Sequence, residues 1–228
     1  MRTPRLTLVP IALAAVLLPL GTLLTFFWVH SDADQGFSQR IFYIHVPIAL
    51  TSYVFFIVGA FYGARYLLRR DEADDIKSYV CLHIGIIFGT LVLLTGPIWA
   101  KISWGHWWNW SDEQLNVFLI LFLFYSAYFM LRFSLDAGPQ RSTYSAAYAL
   151  LGIGLVPLSF AAVHLAQSLI HPVVFTSNGP QMDHPMLITF CIWWAGILSL
   201  GAAMFVVEVA GKRLDQRLRR VRARLAMA

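Results

Sequence analysis

The sequence predicts an all-α polytopic membrane protein, one bundle of six transmembrane helices with both termini cytoplasmic. Three observations predict it. Six mostly apolar runs reach spanning length within 228 residues, only 13% of the residues are charged, and the lysines and arginines gather on alternate connections. A soluble domain carries about a quarter charged residues, so this composition, with a mean hydropathy of +0.65, reads as a chain whose solvent is lipid.

A spanning helix needs roughly 20 apolar residues, and the runs lie near residues 6–28, 44–66, 78–100, 115–131, 143–163 and 186–209. The first follows Arg2 and Arg5 as a signal peptide would, but its length and the lack of a small-x-small cleavage site predict a retained helix. The connections are short, and no internal repeat stands out. Residues 1–228 therefore form a single membrane domain, with a tryptophan-rich outer segment at 96–112 and a basic cytoplasmic tail at 212–228.

Orientation follows from the basic residues, which stay on the cytoplasmic side near helix ends. With both ends inside, 15 of the 17 fall on the inner face and only Arg40 and Lys101 on the outer. The net charge of +5 comes largely from the tail. A basic tail directly after a membrane helix reads as a lipid-headgroup contact, since nucleic acid binding would call for a folded reader. Cys81 and Cys191 lie in separate apolar runs with no C-x-x-C or C-x-x-C-H spacing, which argues against thiol redox chemistry and covalent heme attachment. Both read as small packing residues.

Function must be sought in residues that do not belong in lipid. Six of the seven histidines, His30, His45, His106, His164, His171 and His184, fall in or beside the three outer connections. His83, near the inner end of the third helix, reads as a bundle histidine with a partner. Five of eight tryptophans crowd between Trp99 and Trp110. An aromatic belt explains any one of them, and Trp28 and Trp99 are assigned to it. Trp104, Trp107 and Trp108 follow i, i+3, i+4 spacing and would share one side of a short helix, forming a platform; His106 would be a surface member of it. Trp193 and Trp194 read as packing residues.

An apolar aromatic platform flanked by imidazoles suits a flat ligand whose metal takes two axial nitrogens, and noncovalent heme b is such a ligand. Zinc would want three or four converging ligands, and these histidines show no H-x-x-x-H pair. An ion-coupled transporter would want acids within its helices, and Glu208 is the one candidate.

The stretch Trp104-Gly-His-Trp-Trp-Asn-Trp110 resembles the tryptophan-rich signature of heme-handling proteins of cytochrome c maturation. Together with Arg40-Ile-Phe-Tyr-Ile-His45-Val-Pro47 and Gly96-Pro-Ile-Trp99-Ala, it is similar to the CcmC branch, over about 37–185. The resemblance implies a non-enzymatic component of the bacterial inner membrane that holds heme at the outer face and delivers it to the periplasmic chaperone CcmE. It also implies an assembly with the CcmA ATPase, the CcmB membrane subunit and the small CcmD subunit. This chain has no G-x-x-x-x-G-K-[ST] segment, so ATP hydrolysis is expected in a partner.

Carried over by residue, the resemblance implies His45 as the first iron ligand. His171, in Ser168-Leu-Ile-His171, is the second, with His164 and His184 as rivals; Trp104, Trp107, Trp108 and Trp110 make the shelf. The signature's acid after its last tryptophan is Ser111 here, so that role moves to Asp112. The alternative reading is a b-type cytochrome in quinone-linked electron transfer, which would need histidine pairs in facing helices. A cytochrome c synthetase would need a longer chain and a further pair of ligands.

Overall fold

The computed structural model describes residues 4–165, 174–176 and 178–226. Seven helices account for almost all of them: α1 Pro4–Phe27, α2 Phe42–Arg69, α3 Glu72–Trp104, α4 Glu113–Ser134, α5 Pro139–Leu151, α6 Leu155–Leu165 and α7 His184–Leu225. Six stretches are long and apolar enough to cross a membrane, with α5 and α6 sharing one of them. The predicted six spans are therefore present.

The bundle is built on α2 against α3. Ser52 and Ser78 donate across the pair to the carbonyls of Gly85 and Gly59, at 2.9 and 2.8 Å. A side chain at Gly85 would stand 2.6 Å from the Phe56 ring. Small residues let membrane helices approach where water supplies no hydrophobic drive between them. Phe56 then stacks on Tyr125 of α4, centroids 4.3 Å apart. At the edge of the bundle α1 pairs with α7, where the Trp193 indole donates to Thr25 Oγ1 at 2.9 Å.

Caps fix the corners. Arg70 takes a left-handed φ of 57° and returns its N–H to the Tyr66 carbonyl. Asp71 then accepts from the Ala73 N–H, and Glu72, Asp74 and Asp75 occupy the first turn of α3, where the helix dipole favours negative charge.

Three expectations change. The fifth span is not one helix: Gly152–Gly154 makes a 3-10 turn, and Gly152 sits so close under Phe124 and Tyr125 that a Cβ would lie 2.7 Å from either ring. The basic tail is not a separate segment, because α7 continues unbroken to Leu225. Glu208 is also not the one acid of the bundle. Asp74 and Asp75 are buried with Arg132, because α3 begins six residues before the apolar run read from sequence.

Candidate functional site

At the histidine-rich end, α2 opens through a 3-10 turn, Phe37–Ile41, and brings His45 against Thr95 of α3. The Nδ1 to Oγ1 distance is 2.8 Å. Thr95 also gives its hydroxyl proton to the Leu91 carbonyl, at 2.8 Å. A hydroxyl has one proton to donate, and where Thr95 gives it to its own helix carbonyl, its oxygen accepts from His45 Nδ1. The neutral ring then has its lone pair on Nε2, the tautomer a metal ligand needs, held by a hydrogen-bonded neighbour as ligating histidines generally are.

Gly96 makes room for the ring. A Cβ there would lie 3.1 Å from His45 Cε1. One turn on, Trp99 meets the imidazole edge-on with centroids 5.6 Å apart. Trp99 is only 5% exposed, tilts against Trp104 at 5.8 Å, and donates its indole N–H to Gln35 Oε1 at 2.9 Å. Trp99 is therefore part of the site's wall and not a lipid-facing belt residue. Ser38 and Ser103 join the same two elements at 3.1 Å.

The tryptophan segment is not a short helix. Gly105, at φ 81°, ends α3 directly after Trp104, and Lys101 Nζ reaches the Gly105 carbonyl at 3.0 Å. A turn follows, in which Asn109 Oδ1 accepts from the Ser111 N–H and the Asn109 carbonyl from the Asp112 N–H. Asp112, 2% exposed, caps α4 by accepting from Leu115 N–H. Asn116 Nδ2 ties the turn down through the Trp110 carbonyl at 2.6 Å. The expected shared helix face is thus replaced by a loop that splits the indoles. Trp107 and Trp110 are 59% and 72% exposed. Trp108 is half-buried and 5.7 Å from Trp110, and its indole N–H is buried with no hydrogen-bond partner among the described residues.

His45 stands between two mostly apolar clefts that share Gly96 and Leu115 with it. The first is walled by Trp99, Trp104 and His106; the second by Tyr53, Phe118, Trp108 and Gln114. His184 lies at the same end, exposed at the start of α7, where Asp183 caps by accepting from Met186 N–H. His171 lies outside the described residues, as does the side chain of His164 in α6.

Sequence reasoning missed Thr95, Gln35 and Asn116, which set the orientation of His45, Trp99 and the tryptophan turn. His83 does have a partner, the Glu208 carboxylate at 2.9 Å.

Fold and site together define a polytopic membrane protein that opens an apolar cleft, lined by imidazole and indole, at one end of its bundle. A family model described as CcmC, Heme exporter protein C, matches residues 2–224. The chain belongs to that family. It is 28% identical to Heme exporter protein C of Paracoccus denitrificans, over 88% of this chain and 82% of the relative. The same protein of Rhodobacter capsulatus is 28% identical, over 95% and 89%. That of Escherichia coli K12 reaches 34%, over 49% of this chain and 45% of the relative.

Proposed function

We propose that this chain takes heme b as its cargo in cytochrome c maturation, holding it at the histidine-rich end between His45 and His171 and passing it to the chaperone CcmE. In this reading the chain is one domain of a bacterial inner membrane. The histidine-rich end faces the periplasm and both termini the cytoplasm, beside CcmA, CcmB and CcmD. The observation that carries the reading is the His45–Thr95 hydrogen bond at 2.8 Å, which presets an iron-binding tautomer between two apolar clefts.

The surrounding residues fit such a cargo. Indoles supply flat apolar surface that tolerates a porphyrin, and the Trp108 N–H, which has no hydrogen-bond partner among the described residues, offers a donor for an anionic substituent on its rim. Trp107 and Trp110, exposed beyond the cleft, supply the open side that a transfer partner needs. Asp112 acts by positioning: its cap fixes the base of the tryptophan loop. Imidazole ligation suits a carrier because it is firm yet exchangeable, and protonation of a released ring favours departure.

The experiment is co-purification with CcmE from cells rich in heme, with heme content measured across His171→Ala, His164→Ala and His184→Ala. Loss confined to His171→Ala is the expected result. Unchanged heme in that variant, with loss in either of the others, would move the second ligand; failure of CcmE to co-purify with any heme-loaded form would overturn delivery to it.

A further inference from the structure

At the other end of the bundle, two adjoining hollows of about 360 and 590 Å³ share Asp75, Ala137, Arg141 and Gln216. They lie between the starts of α3 and α5, the end of α4 and the far part of α7. Five cationic side chains, Arg70, Arg132, Arg141, Lys212 and Arg219, line them against three acids, Glu72, Asp75 and Asp215. All three acids have interactions inside the protein: Asp75 binds Arg132 through both oxygens, Asp215 pairs with Arg219 along α7 at 3.0 Å, and Glu72 is engaged as well. The balance left in the hollow is positive.

The Arg141 Nε is buried and has no hydrogen-bond partner among the described residues. A buried donor of a charged group without an acceptor is costly, and an oxyanion would supply the acceptor. Lys212 and Arg132 are held nearby on the Tyr79 ring, at 4.9 and 5.0 Å from its centroid. The start of α5 adds the same sign, for it has neither a side-chain cap nor an acid in its first turn.

Depth selects the source of the anion. Lys212 stands about 42 Å along α7 from His184 at ~1.5 Å per residue, beyond a hydrocarbon layer of ~30 Å. That is headgroup level. Phe133, which also lines the hollow, is 70% exposed and offers an apolar flank beside the cations.

We propose that this hollow is a specific site for the phosphate of an anionic phospholipid headgroup, with Arg141 and Lys212 as its donors and Phe133 against the acyl chains. It differs from diffuse attraction between a basic helix and a charged membrane because it has walls and named donors. It is also independent of the heme reading.

The test uses the full chain in nanodiscs of phosphatidylcholine with increasing phosphatidylglycerol, counting retained lipids by native mass spectrometry. Wild type should retain phosphatidylglycerol in preference to phosphatidylcholine. The Arg141→Gln/Lys212→Gln double variant should bind it about tenfold more weakly. Gln216→Glu, on the part of α7 beyond the span, should weaken it without touching the packed bundle. Arg222→Gln/Arg224→Gln, which removes equal charge outside the hollow, should leave the preference intact. Equal losses in the two double variants would overturn the site in favour of general charge attraction. Millimolar inorganic phosphate that displaces the lipid without any phosphatidylglycerol preference would overturn the lipid as its ligand.

Discussion

At the basic end of the bundle, Arg132 and Asp75 form a buried two-point ion pair at 2.7 and 2.8 Å, and Asp74 holds Arg65 at 3.2 Å. At the histidine-rich end the ties are hydroxyl, amide and indole bonds: His45 to Thr95, Trp99 to Gln35, Ser38 to Ser103. Ionic locks resist opening, because removing either partner strands a charge in a medium that cannot solvate it. Neutral bonds orient rings at lower electrostatic stakes and leave the apolar surface between them available to a guest. The contrast is between helices locked by buried charge at one end and rings oriented by neutral bonds around an apolar cleft at the other.

The largest effect expected from breaking this contrast is at the closed end. Asp75→Asn should lower stability by about 3–5 kcal/mol, seen as a fall in the thermal midpoint in detergent, because the Arg132 guanidinium loses its counter-charge. At the other end, Thr95→Val should leave the midpoint nearly unchanged while reducing heme affinity by roughly 10- to 100-fold, the usual cost of losing a partner behind a metal ligand. Thr95→Ser should restore it.

Smaller again, Asp112→Ala should cost about 1 kcal/mol as a lost helix cap and weaken heme retention by loosening the tryptophan turn. Trp107→Ala should fall within about 0.5 kcal/mol of wild type in stability, its side chain being exposed. Its heme dissociation, followed by transfer to an apo-protein acceptor, should nonetheless speed up several-fold. A Trp107→Ala protein as unstable as Asp75→Asn would erase the distinction between the ends.

The spans were legible because twenty-residue apolar runs have few other solutions, and His45 stood out within the Arg40–Pro47 segment that carries the family resemblance, near the head of such a run. Thr95 was not legible. A threonine within an apolar helix reads as bonding back to its own i−4 carbonyl, which it does, and nothing local says that the same oxygen also accepts from a ring 50 residues away. The Asp75–Arg132 pair was hidden for a related reason: its members are 57 residues apart, and both lie just outside the apolar runs. The tryptophan loop misled because i, i+3, i+4 spacing is indifferent to Gly105, whose left-handed φ ends the helix before the pattern can matter.

The role proposed for His45, preset by Thr95, is to bind heme iron. Its most direct measurement is the Soret absorbance of the protein purified from heme-rich cells, wild type beside His45→Gly. The expected outcome is a Soret band in wild type, its loss in His45→Gly, and its return when free imidazole and heme are added to that variant. No band in wild type, or one of equal height in His45→Gly without imidazole, would contradict it.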